Sequence, residues 1–172
     1  LFLLMAKSNL YNSLSALYPD LAVFCTASLY VEDDPLSVFR TYVQPIGVYC
    51  LANNHRLEVD TVYRHVVMTV QQVVAKFGIQ AVSQRVRNAY EKHSLQEKVS
   101  ILHAVEPNED YDPMKVGPAV MRYQSLWLEE SCAEHEGFLS RGGYEEFPYM
   151  SPRWEITAEE AYGSGPGMMV LG

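Results

Sequence analysis

Side chains that ionise, coordinate metals or attack substrates are dispersed along this chain. The histidines stand at positions 55, 65, 93, 103 and 135. No two are four residues apart and no HExxH occurs, so the spacing that sets two imidazoles on one helical face for zinc is missing. His65 and His103 fall in alternating apolar stretches, which marks them as packing residues held by hydrogen bonds. Cys25, Cys50 and Cys132 are far apart, with no CxxC and no cysteine–histidine pair at metal spacing. They read as free thiols in apolar surroundings, suited to a reducing cytoplasm. The acidic runs Glu32-Asp33-Asp34, Glu129-Glu130 and Glu145-Glu146 resemble paired carboxylates. Neighbours on a strand point to opposite faces, however, and do not share a proton. No serine has a GxSxG context. Gly163-Ser164-Gly165-Pro166-Gly167 fails as a phosphate loop, because no lysine follows and Pro166 removes an amide donor. No catalytic, metal or cofactor residue is expected, and no cofactor.

Recognition chemistry concentrates instead in Phe147-Pro148-Tyr149-Met150-Ser151-Pro152-Arg153-Trp154-Glu155, followed by Tyr162-Gly163-Ser164-Gly165-Pro166-Gly167-Met168. Proline fixes φ and removes a donor, and glycine admits backbone angles other residues avoid. That density excludes a regular helix and predicts an extended, ordered crossing segment anchored by Phe147, Tyr149 and Trp154. Arg153 beside Trp154 can stack on it, pair with a carboxylate, or do both. The pair fits a core anchor within one subunit and a hot spot between subunits equally well. The glycines allow neighbouring backbones to approach closely.

The elements that must position this segment follow from composition and periodicity. With 172 residues, 48% hydrophobic and 20% charged, the chain is of ordinary globular type and long enough for one domain. A formal net charge of −8 argues against a wrapped nucleic-acid binder, which needs cations against phosphates. The opening run Leu1-Phe2-Leu3-Leu4-Met5 is far too short to cross a membrane. Both ends are abrupt, which reads as a fragment of a longer protein. Leu3, Leu10, Leu14 and Leu17 predict an N-terminal helix, broken at Tyr18-Pro19-Asp20. Leu21 to Val31 reads as a buried strand.

A hairpin is predicted from Tyr42–Leu51 and Arg56–Val67 around Asn53-Asn54, with Pro45 marking an edge or bulge. Its buried face carries Leu57, Val59, Thr61, Tyr63, His65 and Val67. Thr69-Val70-Gln71-Gln72 is a capping box that starts a helix ending at Gly78. A second helix covers Ile79 to Lys92. Strands follow at Lys98–Glu106, Val120–Glu130 and Phe138–Glu146, with a bulge or bend at Gly142-Gly143. Thr157-Ala158-Glu159-Glu160 offers a last helical turn. The fold class is therefore α+β: a mostly antiparallel sheet with a hairpin, two short packed helices and an N-terminal helix.

The stretch from Gly143 to Trp154, with Glu160, Tyr162-Gly163, Gly165-Pro166-Gly167-Met168 and Leu171-Gly172, closely resembles the head-to-tail connecting (portal) proteins of short-tailed bacteriophages. Phe24-Cys25-Thr26-Ala27-Ser28-Leu29-Tyr30 resembles the family's Phe-Gly-Thr-Ala strand, with Cys25 where glycine is common. Val70 to Gly78 and His103-Ala104-Val105-Glu106-Pro107-Asn108 are also similar. The resemblance implies a structural, non-enzymatic wing fragment of a portal ring, with 147–172 leading toward channel helices beyond it. It implies a homo-oligomer, a dodecamer, at a capsid vertex of the virion, synthesised in the bacterial host cytoplasm. Capsid, packaging-motor and tail proteins are its implied partners, and double-stranded DNA passes through without sequence-specific binding. Phe147, Tyr149, Arg153, Trp154, Tyr162, Gly163, Gly165 and Pro166 become the structural or intersubunit anchors. Two rival readings are a small-ligand or peptide-binding α+β module, which requires a pocket with convergent polar groups, and an enzyme domain with strongly perturbed groups in a cleft.

Overall fold

The computed structural model describes residues 2–130, 138–156, 160–166 and 170. Thr157 to Glu159, where the last helical turn was expected to start, lie outside them, as do Cys132 and His135. In chain order the elements are α1 (Phe2–Lys7), α2 (Leu10–Phe24), β1 (Ser28–Asp34), β2 (Val38–Gln44), β3 (Tyr49–Asn53), β4 (Val59–Thr69), α3 (Val70–Phe77), α4 (Gln84–Glu91), β5 (Lys98–Pro107), β6 (Tyr123–Glu129), β7 (Phe138–Tyr144) and β8 (Tyr149–Met150). The class is α+β with antiparallel sheets, as the patterning requires. Two compact units emerge: Leu1–Asp60 with Phe147–Gly172, and Thr61–Glu146.

In the first unit the sheet order is β2-β1-β8. Helix α2 does not break at Pro19, and residues 21–24 are helical rather than the start of a strand. The leucine stripe explains why. Leu10 and Leu17 continue in register to Leu21, and all three pack with Ala27, Leu29 and Val43. An interior proline costs about 3 kcal/mol, but fully burying Leu17 returns about 1.5–3 kcal/mol, and the partly buried Leu10 and Leu21 add to it. The helix closes at Cys25, whose φ of +58° is the left-handed conformation that glycine usually supplies at this place. The edge of β2 is covered by a side chain: Asn9 Oδ1 accepts from Thr41 N at 2.9 Å, and Asn9 Nδ2 donates to Thr41 O at 2.7 Å. An amide thus replaces the strand neighbour an open edge would otherwise recruit. The predicted first hairpin arm is cut short, because β2 stops at Gln44 and Pro45 opens a turn before β3. Asn54 Oδ1 then accepts the amides of Arg56 and Glu58, and Leu57 in this turn has φ +62°.

Within the second unit the order is β4-β5-β6-β7. Val70, Val73, Val82 and Val86 from α3, α4 and the turn between them meet Val99, Ile101, Trp127 and Leu139. The capping box at Thr69 and Gln72 forms as read. Helix α4 begins only at Gln84, with Ser83 as its N-cap, and Ile79 is left in the preceding turn. Strand β4 presents the opposite face from the one expected. Val62 is buried and Val66 and Met68 pack on the core, whereas Tyr63, His65 and Val67 are exposed. Both faces of β4 carry apolar residues, so alternation alone was ambiguous. Arg64 lies on the inner side because its guanidinium has a use there. Gly143 is not at a bulge; the ladder shifts at Trp127/Leu128. A Cβ at Gly143 would stand 2.3 Å from Pro118 O, so glycine is needed for close approach.

His103 is fully buried, and its ring stacks on Trp127 at 3.9 Å. Arg64 Nε donates to Nδ1 at 2.9 Å. A guanidinium only donates, so Nδ1 is bare, and Nε2 carries the proton to Ser125 Oγ at 2.9 Å. Lys76 Nζ sits 3.7 Å from the centroid of Trp127. Burial first, then the charges of Arg64 and Lys76, push the His103 pKa down to about 2. An unfolded histidine titrates near ~6.5, so the unfolded chain binds a proton that the folded one refuses. This contribution is complete above that pH and is lost as pH falls toward 2, by about 1.4 kcal/mol per unit below ~6. Urea unfolding between pH 7 and 4 should show that steep loss in the native chain and a shallower one in His103→Gln. Equal slopes would contradict a neutral His103.

Candidate functional site

Every residue singled out in the connector belongs to the first unit, and four of them, Arg153, Trp154, Gly163 and Gly165, converge on the joint between α2 and β1. Pro148 and Pro152 bias Phe147 and Ser151 toward extended backbone. Each proline lacks a donor but offers a carbonyl, and both carbonyls are used: Val31 N donates to Pro148 O at 2.8 Å and Ala27 N to Pro152 O at 3.2 Å. Strand β8 pairs antiparallel with β1 through Leu29↔Met150 and Tyr30↔Tyr149. Tyr149 is buried, with its ring centroid 5.0 Å from Tyr30 and 5.8 Å from half-buried Phe147. These two aromatics root the connector.

Arg153 and Trp154 behave differently from each other. Among the described residues the Arg153 guanidinium faces carbonyl oxygens: Leu57 O, Asn53 Oδ1 at 3.3 Å, Glu160 O at 3.4 Å and Ala161 O at 3.5 Å. The planar fork of donors suits such a ring of acceptors in a way a lysine ammonium does not. Trp154 N donates to Cys25 O at 2.9 Å, but its side chain is 57% exposed. Tyr162 Oη accepts from Leu51 N at 3.1 Å. Gly163 is buried, and its N–H donates to Thr26 Oγ1 at 2.7 Å. A Cβ there would lie 2.3 Å from Cys25 O; one at Gly165 would lie 2.9 Å from Cys25 Sγ and 3.0 Å from Trp154 Cδ1. Pro166 is exposed and lies outside these contacts.

The sequence reading missed the acceptors. Cys25, Thr26, Asn53 and Leu57 carry the polar partners of the connector. Cysteine in place of the glycine that the resemblance implies spoke against a special backbone at position 25, yet Cys25 adopts the left-handed conformation. Elsewhere, a cavity of about 310 Å³ in the second unit is lined by Thr61, Glu106, Asn108, Asp110 and Gln124 among others. Its polar groups are largely engaged with one another and with neighbours. Gln124 Nε2 and Tyr63 Oη donate to Glu106, Arg141 donates to Asp110, and Asn108 donates to Ala119 O and Met121 O. The Glu106 hydrogen bond, aided by burial, pushes the Tyr63 pKa up to about 12.

A family model described as bacteriophage head to tail connecting protein matches residues 1–172. This chain belongs to that family. It is 40% identical over 167 residues to the portal protein of Salmonella phage epsilon15, covering 96% of this chain and 30% of that relative. It is also 33% identical over 172 residues to the probable portal protein of Bordetella phage BPP-1, covering 100% of this chain and 31% of that relative. The chain thus spans just under a third of the curated relatives it matches.

Among the described glycines of the connector in this connecting-protein segment, Gly163 has the least room for a side chain. Gly163→Ala forces the new methyl against a carbonyl that already accepts from Trp154. The variant should lose roughly 1–3 kcal/mol, the usual cost of overpacking, measured as a lowered urea midpoint. A midpoint equal to that of the native chain would contradict the packing described.

Proposed function

We propose that this chain is the wing portion of a portal subunit, a structural part of the ring that joins a phage head to its tail. The observation that carries the reading is the family match along all 172 residues, supported by relatives named as portal proteins. The ring, a dodecamer in this proposal, sits at one capsid vertex of the virion. It is synthesised in the host cytoplasm, docks the packaging motor, passes double-stranded DNA inward and outward, and receives the tail. The net charge of −8 supports a conduit role, since an acidic surface does not grip phosphates. The proposal gives this chain no bond to break. Its work is geometric: residues 1–172 present lateral surfaces, and the rest of a longer polypeptide supplies ring closure.

Light scattering on the longer parent chain beside residues 1–172 tests this. The parent should give a ring-sized assembly and the segment a small species. A parent that stays monomeric across salt concentrations would overturn the portal reading.

A further inference from the structure

The turn between β1 and β2 holds two apolar side chains out in water. Leu36 is 95% exposed and Val38 57% exposed. Val38 also has φ +73°, a conformation that β-branched residues avoid. The turn keeps this shape by itself, since Asp34 Oδ2 accepts from Ser37 N at 3.0 Å and from Ser37 Oγ. Folding gains little from exposed apolar groups on strained backbone. Strain held in a rigid, exposed turn points to a use outside the chain. The stem below the tip is acidic. Glu32 and Asp33 are exposed, and Arg40, opposite Glu32, is the single cation between Ser28 and Gln44.

The second unit carries the matching features. From Val70 to Lys98 the helical layer has five Lys and Arg against two Glu. At the start of α4 a cavity of about 270 Å³ is lined by Ala81, Val82, Phe138, Gln80, Gln84 and Arg87 among others. Arg87 donates to Ile79 O at 3.0 Å and to Gln80 O at 2.7 Å. Both acceptors are neutral, so its charge is left to attract a carboxylate. A ring built by rotation needs two different, complementary surfaces on every subunit. An acidic turn with an apolar tip and a cavity with a basic edge are such a pair.

We propose that the β1–β2 tip of one copy docks in the α4 cavity of the next, Leu36 and Val38 entering it while Glu32 and Asp33 face the basic helical layer. The tip lies wholly in Leu1–Asp60 and the cavity wholly in Thr61–Glu146. The contact rests on the portal reading and names the lateral surfaces that the reading requires.

Disulfide trapping on the longer parent chain tests it. Leu36→Cys combined with Gln80→Cys, or with Gln84→Cys, should give a ladder of covalently linked copies on oxidation. Each single variant should match the native chain. Leu36→Ser should raise the concentration for half assembly roughly tenfold or more, the effect of losing one buried leucine per contact. Val38→Gly should weaken assembly too, without lowering the urea midpoint of residues 1–172, because glycine accepts the positive φ. A turn with only a structural role would lose both together. A parent that forms the ring but gives no ladder with either cysteine pair, or assembles unchanged as Leu36→Ser, would overturn this contact and leave the portal reading standing. A parent that never assembles would overturn both.

Discussion

The left-handed turn at Cys25 is the constraint on which the first unit depends. It ends α2, reverses the chain into β1 and aims one carbonyl outward. That carbonyl fixes Trp154 through its N–H and leaves so little space beside it that the residue facing it, Gly163, has no side chain. Arg153 then falls opposite Thr26 in an isolated bridge, from which its guanidinium reaches Leu57 and Asn53. Each of these placements follows from the one before. A helix that ended one residue earlier or later would present a different carbonyl and misplace the whole connector.

The connector also shows how a segment rich in proline becomes ordered without joining a long ladder. Pro148 and Pro152 cannot donate, so they supply acceptors to donors on the opposite side, Val31 and Ala27. The two paired residues of β8 need no more than this to fix register, because Tyr149 buries its ring against Tyr30. A two-residue strand is weak by itself. Here the aromatic contacts hold it, and the proline carbonyls choose which residues face each other.

Much of this was legible in the sequence, and the failures have physical causes. The capping box at Thr69, the stop at Gly78 and the inward alternation of Val99, Ile101, His103 and Val105 read correctly. In each, local chemistry and burial point the same way. Pro19 misled because a local penalty was weighed without the Leu10–Leu17–Leu21 stripe that overrides it. Strand β4 misled because Arg64 looks like a solvent residue but pairs with a neutral imidazole beneath a tryptophan. The extended character of Phe147 to Trp154 was visible from the prolines, and the rooting role of Tyr149 with it. What Arg153 binds was not visible. Its acceptors are main-chain carbonyls and one asparagine, and carbonyls are present at every residue, so no residue type marks them.

That invisibility has a consequence for how such a segment can vary. An arginine paired with a carboxylate requires a particular partner residue. One held largely by carbonyls requires a backbone shape, which many sequences can supply. Cys25 illustrates the point: the position adopts the conformation that favours glycine although the residue is not glycine. The surrounding bonds impose the angle, and the residue accepts some strain. Such a segment can therefore keep the arginine's geometry while the residues lending the carbonyls change. Gly163 is the exception, since its requirement comes from space rather than from hydrogen bonding, and no other residue type meets it.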